Sequence, residues 1–498
     1  MTKLSSSVTK TSLRLSLGKL SLSAFLALSL TLSPIAQASV PDNLFTPQAG
    51  ASASNAKNWQ SYLPSAQMGI YAVNLDTQKV LISYNAFQNM QPASTQKILT
   101  AYLVARNLQA TDTFTTKVYA QAAGNGAYDV TIQFAGDPTF GAGSVNSIAN
   151  QLKQAGITNI HQLTYDVSKY SGHDRPLGWN WANNSMCFSS ENSAAQYNRN
   201  CLVGTLNTNK PVGSIATLEQ TDSRVIRVED QIRIVAPSNA ANCEQNYTNP
   251  SDLGFTLQGC IAQSKQGLWL NFAVPNGNAY ATRMVGLGLN NNGIRISNTR
   301  LQSQATSPAG NLVAQVNSSA MTDLLSTMLS KSENHYAEQL YRHTIYQLRN
   351  TPVSYTLAKR VNAQLMQGYF TTGTARFSGV QVDGSGLSYY NTISAADMTR
   401  VMASIYLQSQ NPSAYGLNFD LYSLFPSEND GTLKLHNSFA GHSLRGKTGS
   451  IYGAENFTGI LTTKSGQRIA FTYFINNSTD SSAATNRFTA DLLNYLDQ

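Results

Sequence analysis

The chain has 498 residues, with 34 Lys and Arg against 26 Asp and Glu, a formal net charge of +8 and four cysteines. No Lys/Arg stripe and no recognisable nucleic-acid module accompany that charge, so nucleic acid is excluded as the expected partner. The length exceeds one ordinary core and predicts two or three domains.

Residues 1–38 read as an export signal. Lys3, Lys10, Arg14 and Lys19 form a basic start, Leu20 to Leu32 is apolar or hydroxylic, and Ala36-Gln37-Ala38 offers small residues for cleavage after Ala38. The apolar run is shorter than the ~20 residues of a spanning helix, and no later run reaches that length. Removing the segment takes away four basic and no acidic residues, so the net charge falls from +8 to +4. The expectation is an exported, periplasmic protein, soluble or loosely associated with the envelope, with no integral membrane segment after cleavage.

From Met68 to Leu75 and from Lys79 to Tyr84, two β-rich runs flank Asp76-Thr77-Gln78 and predict a hairpin. Pro92-Ala93-Ser94 then opens a helix over Thr95–Leu108, with Ile98, Leu99, Tyr102, Leu103 and Leu108 near helical spacing. Residues 112–275 differ: short strand-like runs, Gly/Asn-rich turns and all the cysteines predict an inserted β-rich region, read as two small domains. Helical periodicity returns over Ser318–Leu348 and Ser394–Leu407. The chain ends in strands and a last helix over Ala483–Leu496. The two flanks, 39–111 and 276–498, are expected to form one discontinuous α/β domain, an antiparallel sheet flanked by helices.

Cys187, Cys201, Cys243 and Cys260 lie in the insert, and an even number in an exported chain predicts two disulfides. Three connectivities are open; adjacent pairing is our expectation. A zinc site lacks the required Cys-x-x-Cys or Cys/His spacing, so no metal is expected.

Ser-x-x-Lys occurs at Ser7, Ser16, Ser54 and Ser94, so the tetrad alone selects nothing. A serine nucleophile and a lysine share one face at i, i+3 only on a real helix, and only Ser94 begins one. Ser-Glu-Asn occurs at Ser190, Ser332 and Ser427, of which Ser332 lies in a strong helical pattern and Ser427 in a turn composition. Lys447-Thr448-Gly449 stands in a strand, whereas Lys464-Ser465-Gly466 reads as a hairpin turn.

The surviving set, Ser94-x-x-Lys97, Ser332-x-Asn334 and Lys447-Thr448-Gly449, resembles the three-part signature of penicillin-binding proteins and serine β-lactamases. Pro92-Ala93-Ser94-Thr95-Gln96-Lys97, Gly136-Asp137-Pro138-Thr139, Asp383-Gly384-Ser385-Gly386-Leu387-Ser388 and Lys447-Thr448-Gly449-Ser450 are similar to the D-alanyl-D-alanine carboxypeptidase/endopeptidase family of penicillin-binding protein 4, a low-molecular-mass class C type. Ser94 and Ser332 stand 238 positions apart (332 − 94), room for that family's inserted domains and too much for a compact β-lactamase. The Glu-x-x-Leu-Asn of class A β-lactamases is absent.

The resemblance implies a β-lactamase/transpeptidase-like domain and a serine peptidase that cuts peptidoglycan stem peptides through an acyl-enzyme. It implies β-lactams as covalent inhibitors and no metal or organic cofactor. Ser94 is then the nucleophile, Lys97 its base, and Ser332 the proton donor to the departing amine. Asn334 holds a substrate carbonyl, Lys447 and Thr448 the terminal carboxylate, Gly449 lets substrate lie along the strand, and Ser94 and Ser450 N–H groups form the oxyanion hole. Asp383 to Ser388 is expected to shape a loop beside the site and Asp137 a turn. The alternatives are a β-lactamase or esterase of the same fold, marked by rapid acyl-enzyme turnover, and a non-catalytic wall scaffold, against which the intact motif set speaks. Oligomeric state is not legible.

Overall fold

The computed structural model describes residues 42–45, 57–220, 222–371 and 376–498. Residues 1–38, expected to be an export signal, and Ser54 lie outside these residues. Among those described, no helix is long and apolar enough to cross a membrane.

Hydrophobic alternation from both chain ends builds one sheet. Its five strands run in the order Ser443–Ile451, Ala454–Thr462, Arg468–Asn476, Gln67–Asn74 and Lys79–Tyr84, every neighbour antiparallel. The first hairpin turns where Asn74 Oδ1 accepts from the Asp76 and Thr77 N–H groups, 3.0 and 2.9 Å away. Met68, Ile70 and Ala72 face a core with Phe471, Tyr473, Phe488 and Leu492, whereas Tyr71 and Val73 face the opposite core with Ile98 and Met398. Successive strand residues point to opposite faces, so the sheet is apolar on both and helices must cover each. The terminal helix Ser482–Leu496 covers one, with Trp59 edge-on to Phe488 at 6.0 Å. Lys97–Asn107 and Ala395–Ser409 cover the other. Each fully buried Phe or Ile contributes about 1.5–3 kcal/mol to this packing.

Helix Lys97–Asn107 is buried at every residue from Lys97 to Ala105. It runs through the core, so the apolar face read from Ile98, Leu99, Tyr102 and Leu103 is only part of its contact surface.

The 318–348 pattern, read as one helix, is two: Met321–Lys331 and Asn334–Arg349. Ser332 between them is left-handed, φ 58° and ψ 33°, a conformation uncommon for a residue other than glycine. The break turns the second helix's N-terminal residues toward Ser94.

The insert is β-rich and also carries helices. A five-stranded sheet runs Arg295–Gln302, Asn159–Asp166, Ala127–Gln133, Thr115–Gly124 and Asn311–Asn317, with parallel pairs on both sides of Asn159–Asp166. Helices Ala142–Gln154 and Gly277–Asn291 supply the crossovers that parallel neighbours need. Arg295–Gln302 and Asn311–Asn317 thus extend this sheet past residue 275, where the catalytic segment was expected to resume. Two three-stranded sheets complete the region. The cysteines pair as Cys187–Cys201 and Cys243–Cys260, Cα atoms 5.3 and 5.2 Å apart.

Candidate active site

Ser94 stands in a tight turn, Ala93–Gln96, that feeds helix Lys97–Asn107, and Ala93 before it has φ 47°. Two glycines grip this turn. A Cβ on Gly449 would lie 2.7 Å from Pro92 O, 2.8 Å from Thr95 N and 3.0 Å from Ser94 N; one on Gly386 would lie 1.8 Å from Ala93 O. Only a residue without a side chain lets the Ser443–Ile451 strand and the Asp383–Ser388 loop approach so closely. The nucleophile candidate is therefore fixed by backbone on two sides.

Lys97 is buried, and its Nζ donates to Ser94 Oγ at 2.8 Å, Asn334 Oδ1 at 2.7 Å and Ser385 O at 2.8 Å. In the ammonium form three acceptors use all three donors, and in the free base the Ser94 hydroxyl donates to Nζ instead. Burial pushes the amine down to about 7, against the opposing pull of Asp383, Glu338 and Glu333. Near neutral pH a large share is then the free base, which can take a proton from Ser94.

Opposite stands a second buried lysine. Lys447 Nζ donates to Ser332 Oγ at 2.9 Å and to Thr448 O at 2.8 Å, and burial together with the charge of Lys97 holds it well below the usual lysine range. Ser332 and Asn334 come from the helix break, Lys447 from the strand, Ser94 from the tight turn and Lys97 from the central helix that it feeds, so all three motifs meet. Thr448 Oγ1 lies 2.7 Å from Thr432 Oγ1, and Ser450 Oγ donates to Glu455 Oε2 at 2.8 Å.

Glu338 and Phe188 were not read from sequence, whereas the Asp383–Ser388 loop was expected beside the site and stands there. Glu338, one turn beyond Asn334, is buried and accepts from the Gly384 and Ser385 N–H groups at 3.0 and 2.8 Å; burial and Asp383 raise its carboxyl to about 8. Asp383 accepts from Gly386 and Ser388 N–H groups, from Asn391 Nδ2 and from Trp179 Nε1, all within 2.9 Å, and so shapes its own loop. That loop presents the Ser385 carbonyl to Lys97. Asn334 Nδ2 donates to Phe188 O at 2.8 Å, so a residue beside the Cys187–Cys201 bridge reaches the site.

A cleft of ≈ 470 Å³ opens here, lined among others by Ser94, Ser332, Asn334, Ser450, Phe188 and Tyr452. Lys97, Lys447 and Thr448 sit behind its wall. The competing motif copies lie elsewhere: Ser427 Oγ is exposed and donates to Asp430 Oδ2, and Ser190 Oγ donates to Arg199 O. Asp137 Oδ1 accepts from Thr139 N at 2.7 Å, a turn contact.

A serine bonded to a partly neutral lysine, on a buried helix against an antiparallel sheet, defines a serine hydrolase of the β-lactamase/transpeptidase-like fold. The chain belongs to the D-Ala-D-Ala carboxypeptidase 3 (S13) family, whose model matches residues 53–494. It is 29% identical over 432 residues to the D-alanyl-D-alanine carboxypeptidase DacB of Haemophilus influenzae, covering 85% of this chain and 88% of that one. The crystal structure of penicillin-binding protein 4 (DacB) from Haemophilus influenzae superposes with a TM-score of 0.82 at 28% identity, over 89% of this chain and 99% of the other. The same relative complexed with a novel β-lactam gives 0.76 at 26% identity, with the same coverage.

Proposed function

We propose that this chain is an exported D-Ala-D-Ala carboxypeptidase and D,D-endopeptidase that trims and uncouples peptidoglycan stem peptides through an acyl-enzyme on Ser94. The observation that carries the reading is the 2.8 Å bond from Lys97 Nζ to Ser94 Oγ, at a lysine whose burial holds it near neutrality. The relative's β-lactam complex supports covalent inhibition of this chain by β-lactams.

Ser94 Oγ attacks the carbonyl carbon of the penultimate D-alanine and passes its proton to Lys97. The Ser94 and Ser450 N–H groups take the resulting oxyanion. Ser332 Oγ accepts from Lys447, which leaves its own hydrogen free to point at the departing nitrogen. When the C–N bond breaks, that hydrogen moves to the amine, and the proton Lys97 took from Ser94 passes on to restore Ser332, which leaves Lys97 a free base again. Water then attacks the ester and gives its proton to Lys97, which returns it to Ser94 Oγ as the ester C–O bond breaks. Asn334 bonds Phe188 with one amide hydrogen and has a second for a substrate carbonyl. The terminal carboxylate binds at the Thr448 end of the cleft, and the substrate backbone lies beside Ser450, where the strand lines the cleft, while the bare Gly449 lets the strand close on the Ser94 turn.

Residues 1–38 act as the export signal, and the two disulfides support an oxidising, periplasmic destination. The catalytic domain is interrupted between about residue 112 and the end of the Asn311–Asn317 strand. Product analysis on purified cross-linked muropeptides tests the activity: released D-alanine marks trimming, and separated peptides mark cross-link cleavage. Absence of both with wild type, or equal product from Ser94→Ala, contradicts the proposal.

A further inference from the structure

The insert carries a groove of ≈ 560 Å³ that the catalytic chemistry does not use. One wall is helix Gly277–Asn291, where Arg283, Gly286, Leu287 and Asn290 follow i, i+3, i+4, i+7 spacing and share a face. The other comes from the 222–226 turn, which bears Arg224, and from Leu253. Tyr280 OH donates to Asp222 Oδ2 at 2.6 Å and pins that turn to the helix, while Val225 and Ile226 are buried beneath it. The groove is therefore a built seam between two parts of the insert.

Its chemistry is one-sided. Leu253, Leu287 and Ile296 form a half-buried apolar floor, and Arg224 and Arg283 stand exposed on the rim. No carboxylate lines the groove, and among the described residues neither arginine is in an ion pair. Asp222, the acid nearest in sequence to Arg224, is turned inward to Tyr280. A guanidinium matches a carboxylate with two parallel N–H donors, and apolar floors with a few polar groups on the rim are the usual form of a ligand site.

We propose that this groove binds a carboxylate-bearing peptide, namely a second stem peptide of the same wall network, with Arg224 and Arg283 on its carboxylates and its methyl groups on the apolar floor. This rests on the peptidoglycan reading above. A protein held on the network by one stem peptide meets neighbouring cross-links at raised effective concentration, and so gains on polymeric substrate without a change at Ser94.

The test uses the full mature chain with its cleft blocked by bound penicillin; Ser94→Ala, whose open cleft still admits stem peptide, is compared only with Ser94→Ala/Arg224→Ala/Arg283→Ala, so that the difference reads the groove. Each is titrated with an uncross-linked stem peptide carrying free carboxylates and with its fully amidated counterpart. The free-acid peptide is expected to bind, and Arg224→Ala/Arg283→Ala to weaken it by about tenfold or more, as expected for losing charge-assisted contacts. The amidated peptide is expected to bind as weakly as that variant does, and penicillin acylation of the double variant to stay within about twofold of wild type, because neither arginine lines the Ser94 cleft. Equal binding by the double variant, or equal binding of the amidated peptide, overturns the proposal. Failure of Ser94 to take penicillin counts against the catalytic reading instead, and the groove is still read as the difference between Ser94→Ala with and without the two arginines.

Discussion

Gly449→Ala places a methyl group where the Ser94 turn already stands. The added carbon would lie 2.7 Å from Pro92 O, 2.8 Å from Thr95 N and 3.0 Å from Ser94 N, all backbone atoms that cannot swing aside. Comfortable contact is about 3.5 Å, so the strand and the turn must separate by roughly half an ångström or more. The turn cannot simply recoil, because a Cβ at Gly386 would already lie 1.8 Å from Ala93 O on its other side. Overpacking of this kind costs about 1–3 kcal/mol of stability. Its kinetic effect is larger, since displacing a nucleophile by about 1 Å costs on the order of 10²-fold in rate. A time course of acylation by a fluorescent penicillin measures it, with a thermal melt alongside. Gly143→Ala is the control: it lies in helix Ala142–Gln154 with nothing within 4 Å of its Cβ, and should leave acylation unchanged. Acylation of Gly449→Ala at the wild-type rate would refute the claim that this strand sets the position of Ser94.

Lys97→Met keeps similar bulk but removes the base, and should slow acylation about 10²–10⁴-fold, read by the same time course. A variant within tenfold of wild type would place the base elsewhere. In the wild type, lowering the pH populates the Lys97 ammonium, which cannot accept a proton, so the rate should fall about tenfold per unit below about 7. A flat profile from pH 7 to 5 would contradict that sign. Replacing Cys187 and Cys201 with serine opens a bridge across a separation of 14 residues and should cost about 3 kcal/mol of local stability. Because Phe188 O holds Asn334, acylation should also slow, by up to about tenfold for one lost hydrogen bond. An unchanged melt and rate would show that the bridge does not support the site.

Much of the candidate site was legible because its residues carry local signals. Ser94 and Lys97 are one helical turn apart after a hairpin, and Lys447 to Gly449 lie in an alternating strand. The break at Ser332 was not legible: neither Gly nor Pro marks it, and a left-handed serine is imposed by tertiary contacts rather than by propensity. Glu338 was equally hidden, since glutamate at a helical position ordinarily faces water, and the Gly384 and Ser385 N–H groups that it accepts from come from a loop distant in sequence. The role of Phe188 is carried by its carbonyl, which no side-chain pattern reports. In the insert, Val145, Ile148, Ala149 and Leu152 follow the helical spacing of Ala142–Gln154, a helix that the β-rich reading of this region left unmarked. Parallel pairs such as Asn159–Asp166 with Arg295–Gln302 join residues over a hundred positions apart, which short-range periodicity cannot reveal.

The central claim is that Ser94, activated by Lys97, forms the acyl-enzyme. Intact-mass and peptide-mapping spectrometry after incubation with penicillin tests it most directly. We predict one adduct per chain, mapped to the peptide containing Ser94 and absent from Ser94→Ala. An adduct on another residue, or one that persists in Ser94→Ala, would contradict it.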